Sequence, residues 1–224
     1  MLDLVFPSRC LGCGRAGRVL CAACEPSVAV VSGPICARCG RPWEEPVATC
    51  AECPPREVDA ARAPFLYAGP IAAAIKGLKF RGWSRLARHL AGAMAEVWDL
   101  EADVVTWVPL ARRRRAQRGF DQAEVLARAL APRIGLPVRP LLRRVRDTPQ
   151  QAKQGPAERR RALSGAFAAR RHGGTVLLVD DVLTTGATAA ACARASKEAG
   201  TDRVVVLTAA RAIRSPAPTH ARLP

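Results

Sequence analysis

The stretch Val176–Thr188 constrains the fold of this chain more than any other part of its sequence. Four apolar residues, Val176-Leu177-Leu178-Val179, predict a buried strand of a parallel sheet. The acidic pair Asp180-Asp181 is expected to end that strand. The loop Thr184-Thr185-Gly186-Ala187-Thr188 follows, and an alanine-rich run then predicts a helix with Gly200 as its C-cap. This order of elements predicts an α/β fold with a parallel sheet.

The loop has the chemistry of a site for a phosphorylated sugar. Its backbone N–H groups and the N-terminus of the following helix favour a phosphate. Its glycine lets the backbone approach a ligand, and its hydroxyl groups add donors; the loop residues are Thr184, Thr185, Gly186, Ala187 and Thr188. Asp180 and Asp181 lie at the carboxyl end of the strand, where their oxygens can accept hydrogen bonds from ribose hydroxyls.

Two other interpretations of this loop fit its residues less well than a sugar-phosphate site does. An ordinary strand-to-helix turn with an N-cap threonine needs one hydroxyl group, whereas this loop has three. A Walker A loop is excluded because no Gly-Lys-Ser/Thr sequence follows.

The N-terminal quarter of the chain carries eight of its nine cysteines as four Cys-x-x-Cys pairs. The pairs are Cys10/Cys13, Cys21/Cys24, Cys36/Cys39 and Cys50/Cys53. This spacing lets both thiolates of a tight turn bind one Zn²⁺, so eight ligands predict two structural Cys₄ sites. Gly14 and Gly40 each follow a cysteine and permit the turn of a zinc knuckle. A site within each half is favoured, interleaved halves are the alternative, and disulfides fit poorly with a chain that lacks a secretion signal.

The sequence predicts two domains and a tail. Residues 1–55 form the zinc module, residues 64–210 form the α/β domain after a linker, and residues 211–224 are expected to be disordered. The module has little apolar sequence, so metal must hold it folded. It is expected to be independent of the loop, so that Cys36→Ser unfolds the module and leaves ligand binding intact. Its role is either structural or nucleic-acid binding.

Composition narrows the location of the protein. Hydrophobic residues make up 49% of the chain, enough for a core, and no run of 18 apolar residues predicts insertion into a membrane. The N-terminal residues lack the basic and apolar regions of a signal peptide. A cytoplasmic location is therefore expected.

The net charge of +16 comes almost entirely from arginine and favours phosphate-bearing partners such as nucleotides or nucleic acid. The alternative is a genomic bias in base composition. Two groups of arginines are candidates for pyrophosphate or DNA binding. Arg112–Arg115 are expected in a loop after a strand, with Arg118 in a defined turn, and residues 139–161 are expected to form a mobile arm or hood. The named candidates are Arg112, Arg113, Arg118, Arg159 and Arg160.

The remaining elements follow from apolar periodicity. Strands are predicted at Phe65–Tyr67, Val104–Val108 and Arg203–Leu207. Helices are predicted at Pro70–Lys79, Ser84–Trp98 and about Gln122–Arg133.

The stretch Val176–Thr188 closely resembles the 5-phosphoribosyl-1-pyrophosphate (PRPP) loop of type I phosphoribosyltransferases. With the cysteine pairs and several further motifs, the chain resembles the ComF family, a double zinc ribbon joined to a phosphoribosyltransferase-like domain. The further motifs are Val108-Pro109-Leu110, Arg118-Gly119-Phe120-Asp121-Gln122, Thr148 with Gln151, and Gly165-Ala166-Phe167. Asp121 and Ala162 depart from the family, which usually has asparagine at both positions.

The resemblance implies a type I phosphoribosyltransferase-like open sheet with helices on both faces. It also implies that Asp180 and Asp181 hold the ribose hydroxyls, that the threonine loop holds the 5′-phosphate, and that Mg²⁺ accompanies PRPP. A role in DNA uptake and handling of single strands is implied, with competence-machinery proteins as further partners. Three interpretations stay open: a transferase acting on an unidentified base or amine with pyrophosphate release, a PRPP-binding protein without transfer, and a nucleic-acid binder.

Overall fold

A computed structural model describes residues 10, 12–18, 20–78, 84–146 and 161–213 of the chain. Its strands are β1 (Ala60–Arg62), β2 (Phe65–Leu66), β3 (Val104–Trp107), β4 (Leu142–Arg144), β5 (Phe167–Ala169), β6 (Thr175–Leu183) and β7 (Arg203–Arg211). Its α-helices are α1 (Gly69–Gly77), α2 (Ser84–Glu96), α3 (Arg112–Arg118), α4 (Gln122–Leu130) and α5 (Ala187–Glu198). Short 3₁₀ turns span Glu25–Ser27 and Ala131–Arg133.

Five strands form one parallel sheet in the order β1-β7-β6-β3, and β2 also pairs with β7. Both faces of the sheet are buried, which explains the nearly continuous apolar sequence of the central strands. Leu177 and Val179 of β6 face a core that α1, α2 and α4 cover. Leu178 faces the opposite core, which α5 and the β4–β5 pair cover. The predicted fold class, an open parallel sheet with helices on both faces after a cysteine module, is confirmed.

The acidic pair does not end β6, contrary to the prediction from sequence. The strand continues through Asp180 and Asp181 to Leu183 because β7 runs beside it, with Asp180 opposite Thr208 and Leu183 opposite Arg211. The sheet therefore carries the acidic side chains inside a hydrogen-bonded strand, which fixes their backbone more firmly than a loop would.

The predicted domain limits also differ from the structure. Ala60–Arg62, placed in the linker by the sequence, forms β1 and pairs in parallel with β7. Arg211, placed in the disordered tail, is the last residue of β7 and is 1% exposed. Residues 214–224 of the predicted tail lie outside the described residues.

Two further predictions require correction. The Arg112–Arg115 run begins the helix α3 and is not a loop, and Gly119 ends that helix with a left-handed backbone, φ 77°. Within the predicted arm at 139–161, Leu142–Arg144 forms β4 and pairs antiparallel with β5. Residues 147–160 of that arm lie outside the described part of the chain.

Candidate functional site

The loop after β6 changes direction sharply before α5 begins. Gly186 has a left-handed backbone, φ 73°, and stands at the N-cap of α5. The side-chain oxygen of Thr185 accepts a hydrogen bond from the N–H of Ala187 at 3.4 Å. The N–H groups of the first helical turn have no acceptor within the helix, so those of Thr188 and Ala189 are available to an anion.

A small cavity of about 30 Å³ lies inside this turn. Asp180, Thr184, Gly186, Thr188 and Thr208 are among the residues that line it. The cavity brings together Asp180 of β6, the hydroxyl-bearing loop and the helix N-terminus, all of which the sequence assigned to one site.

The acidic pair has an unusual electrostatic environment. Asp180 Oδ1 accepts a hydrogen bond from the Asp181 N–H at 2.8 Å. Enclosure by the surrounding protein, and then the neighbouring charge of Asp181, raise the pKa of Asp180 well above its ordinary value. The charge of Asp121 acts in the same direction. The raised pKa means that ionising Asp180 costs free energy unless a donor or a cation lies beside its carboxylate.

Asp121, one of the two departures from the family pattern, has a structural role that the sequence analysis missed. It is 2% exposed and caps α4, accepting from the N–H groups of Ala123 and Glu124. It also accepts from the Leu110 N–H at 2.7 Å. Aspartate immediately before a helix is a recognisable N-cap signal, so the sequence contained the information.

The candidate arginines fall into three groups. Arg112 and Arg113 are exposed on α3 and form no ion pair with any residue that the structure describes. Arg118 instead donates to the side-chain oxygen of Gln122 at 3.0 Å. Arg159 and Arg160 lie outside the described residues. Because α3 follows the carboxyl end of β3, which pairs with β6, Arg112 and Arg113 lie at the same edge of the sheet as the cavity.

The first cysteine cluster consists of Cys10, Cys13, Cys21 and Cys24, whose sulfur atoms all lie within 4.8 Å of one another. Gly14 has φ 76° and donates its N–H to the Cys10 carbonyl oxygen at 2.7 Å, which closes the expected knuckle. Backbone N–H groups of Cys13 and Cys21 lower the pKa of the Cys10 thiol to about 6. The thiolate, which is the form that binds metal, is thereby favoured.

The second cluster consists of Cys36, Cys39, Cys50 and Cys53, again with all sulfur atoms within 4.8 Å. Gly40 repeats the knuckle, with φ 66° and its N–H bonded to the Cys36 carbonyl oxygen at 2.8 Å. The prediction that each half of the module closes its own site is confirmed.

Both clusters fit a tetrahedral Zn²⁺. Zn–S bonds of about 2.3 Å require sulfur atoms about 3.8 Å apart. The observed separations include 3.6 Å for Cys10–Cys21, 3.6 Å for Cys36–Cys53 and 3.9 Å for Cys50–Cys53. These are ligand separations and far exceed a disulfide bond. Each cluster would hold one structural Zn²⁺ that fixes the local turns.

Among the described residues, no helix combines the length and hydropathy that crossing a bilayer requires.

Several known proteins are similar to this chain. A family model described as Double zinc ribbon domain matches residues 1–54. Competence protein F of Haemophilus influenzae is 27% identical, covering 92% of this chain and 98% of that protein. DNA utilization protein YhgH of Salmonella typhimurium is 32% identical, covering 71% of this chain and 76% of that protein. Glutamine PRPP amidotransferase of B. subtilis, solved with ADP and GMP, is similar at 25% identity and a TM-score of 0.37, covering 54% of this chain and 25% of that one.

The fold and the two Cys₄ clusters define an α/β protein with an N-terminal double zinc ribbon. Together with its relatives, this architecture shows that the chain belongs to the ComF family.

Proposed function

We propose that the chain binds PRPP, as its Mg²⁺ complex, in the loop between β6 and α5 (residues 184–186, the phosphate loop) and at the start of α5, and that it acts in the uptake or use of DNA. One observation carries the first half of this proposal. A left-handed glycine, a helix N-terminus, three threonines and Asp180 of β6 line or adjoin one cavity. The 5′-phosphate would lie against the N–H groups of the first turn of α5, with Thr184, Thr185 and Thr188 as hydroxyl donors.

The acidic pair supports the same ligand. Asp180 and Asp181 would accept hydrogen bonds from the two ribose hydroxyls. Donors to a carboxylate favour its charged form, so binding lowers the raised pKa of Asp180 and releases a proton. PRPP affinity is therefore expected to increase as the pH rises through that pKa.

The DNA role rests on the relatives and on charge. The names of the relatives include a competence protein and a DNA utilization protein. The net charge of +16 and the exposed Arg112 and Arg113 at the ligand edge favour a polyphosphate. We propose single-stranded DNA as the partner, bound through its phosphates with little sequence preference, and with Arg159 and Arg160 as further contacts.

A second candidate function is phosphoribosyl transfer to a base or amine, with release of pyrophosphate. The observation in its favour is the place of Asp121. Its carboxylate is occupied by three backbone N–H groups, so this departure from the family pattern serves the α4 cap and leaves the phosphate loop intact. Incubating the protein with Mg²⁺, PRPP and a panel of acceptors, and measuring pyrophosphate, distinguishes transfer from binding alone.

Calorimetry with Mg²⁺ and PRPP tests the binding proposal. Thr188→Ala removes one charge-assisted hydrogen bond and should weaken binding by roughly 1.5–3 kcal/mol. Thr175→Ala is the matched control, since Thr175 lies at the opposite end of β6 and should leave affinity unchanged. Asp180→Asn should weaken binding through the ribose. Equal affinity in wild type, Thr188→Ala and Asp180→Asn would place the ligand elsewhere.

A further inference from the structure

The segment that follows the second cysteine cluster packs against the phosphate loop at Gly186, the last residue before α5. Pro54 follows the ligand Cys53 and packs on Gly186. A Cβ atom added to Gly186 would lie 2.5 Å from Pro54 Cβ and 3.2 Å from Pro54 Cα. The space for any side chain at Gly186 is therefore taken by the residue next to a metal ligand.

A second connection runs from the same cluster to the residue that precedes the loop. The buried guanidinium of Arg211 donates to the carbonyl oxygens of Cys39 at 2.8 Å and Glu52 at 3.0 Å. Arg211 is paired with Leu183 across the sheet, and the N–H of Ala212, the residue after β7, donates to the Leu183 carbonyl oxygen at 2.9 Å. The cluster thus supports both Leu183, before the loop, and Gly186, at its end.

The chain segment that leaves the cluster continues along α5. Arg38, between two ligands, donates to the carbonyl oxygens of Pro55 and Val58, each at 2.9 Å. Asp59 then forms an ion pair with Lys197 of α5 at 2.8 Å. The helix whose N-terminus would face the phosphate is therefore connected to the same cluster along its length.

The first cluster has different neighbours. A Cβ on its residue Gly12 would lie 3.5 Å from Pro70 of α1, and Ser27 lies beside Gly69 at the start of that helix. Cys13 in this cluster is exposed, whereas Cys36 and Cys39 are buried. These contacts of the first cluster are with α1, whereas those described for the second cluster reach the phosphate loop.

We propose that metal binding at the second cluster positions the phosphate loop, and that metal binding at the first cluster does not. The turn at Cys50–Cys53 has little apolar sequence, so little holds it folded without metal. The free energy of metal binding there therefore also contributes to the free energy of folding. Loss of that turn would release Pro54 from Gly186 and remove the two carbonyl acceptors of Arg211. Pro54 and Arg211 are then positioning residues for the anion site. The identity of the anion rests on the proposed function, whereas the coupling itself does not.

Hydrogen exchange of the ligand-free, zinc-loaded protein tests the coupling. Cys50→Ser and Cys21→Ser are matched variants, because each removes the equivalent ligand of its own cluster. Each is expected to lose about one zinc ion by metal analysis. The amides of residues 184–190 should exchange about tenfold faster in Cys50→Ser and at the wild-type rate in Cys21→Ser.

A second pair of variants leaves all eight cysteines in place and tests the coupling between the second cluster and the phosphate loop even if Cys50→Ser does not fold. Pro54→Gly removes the contact with Gly186, and Pro26→Gly is its control, since Pro26 follows the first cluster and is exposed. Both should retain two zinc ions, and faster exchange at 184–190 is expected only in Pro54→Gly. Loop exchange at the wild-type rate in every folded second-cluster variant would overturn the proposal. Failure of all proteins, wild type included, to bind PRPP would instead refute the proposed function.

Discussion

The two cysteine clusters have the same ligands and the same knuckle glycines, yet they lie in different environments. The first lies at the surface beside α1, and its Cys13 is exposed. The second is packed between β1, β7 and the phosphate loop, and its Cys36 and Cys39 are almost fully buried. A repeated ligand pattern therefore predicts a metal site. The residues packed around each site determine how much of the protein is destabilised when its metal is lost.

Removing one metal ligand from each cluster should give the largest difference. Cys50→Ser is expected to destabilise the α/β domain, because structural zinc contributes up to about 10–16 kcal/mol to small modules and β1 and β7 depend on this one. Cys21→Ser should unfold only the exposed ribbon and leave the main transition in place. Thermal unfolding of the two purified variants measures the difference. Equal shifts of the main transition would show that the two environments are equivalent.

Removing the buried connection between the second cluster and β7 should have the next largest effect. Arg211→Met removes the hydrogen bonds that the guanidinium donates to the carbonyl oxygens of Cys39, which is buried, and Glu52, which is half-buried, at about 1–3 kcal/mol each, or about 2–6 kcal/mol together. Arg203→Met is the control, since Arg203 begins the same strand and is exposed, and its effect should lie within about 0.5 kcal/mol. Urea unfolding at fixed zinc concentration measures both variants. A near-zero effect of Arg211→Met would mean that the second cluster does not support the sheet.

The pH dependence of stability tests Asp180 of β6 separately from the metal sites. The folded protein holds a proton on Asp180 more tightly than the unfolded chain does, because its pKa is raised above the ordinary 3.8. The stability from this proton is complete below 3.8 and is lost as the pH rises through the raised pKa. Asp180→Asn cannot titrate, so it should lack this loss and be more stable than wild type at neutral pH.

The stability difference between Asp180→Asn and wild type isolates the carboxyl group, because both proteins carry the same cysteines. Thermal unfolding from pH 5 to 8 at constant zinc gives this difference. A difference that does not change with pH would contradict the raised pKa of Asp180.

The arginines beside the two clusters give the smallest expected effect. Arg38 beside the second cluster is used in internal hydrogen bonds, whereas Arg15 and Arg18 beside the first are exposed. If the first ribbon contacts DNA, replacing Arg15 and Arg18 with alanine should reduce the slope of log affinity against log salt by about 1.4, at about 0.7 per phosphate on single strands. Fluorescence anisotropy with a labelled oligonucleotide measures this slope. An unchanged slope would contradict a contact between the first ribbon and DNA.

The sequence predicted elements that depend on local pattern. The grouping of the cysteines followed from their repeat, and β6 with α5 followed from an apolar run and an alanine-rich run. The arginine run was predicted to be a loop and not the helix α3, because a charged run has no apolar period. Arginine nevertheless has a high helix propensity. Asp121 was identified as a departure from the family, and its cap of α4 could have been predicted from its place before that helix, whereas its bond to the Leu110 N–H, eleven residues away, could not.

The sequence could not predict features that depend on distant partners. The strand β6 passes through two carboxylates because β7 supplies its hydrogen bonds. Arg211 resembled the start of a polar tail, and its acceptors, Cys39 and Glu52, are 172 and 159 residues away. Pro54 and Gly186 are also far apart in the sequence, so their contact could not be predicted. The module and the loop were therefore predicted to be independent. The PRPP-binding roles of the loop residues stay predictions.

Hydrogen exchange of the wild-type, zinc-loaded protein with and without Mg²⁺ and PRPP tests most directly whether PRPP binds at the phosphate loop. PRPP is expected to slow exchange at residues 184–190, the phosphate loop and the first turn of α5. Protection should require PRPP and should not follow from Mg²⁺ alone. Unchanged exchange at 184–190 with saturating PRPP, or protection confined to another part of the chain, would show that PRPP does not bind there.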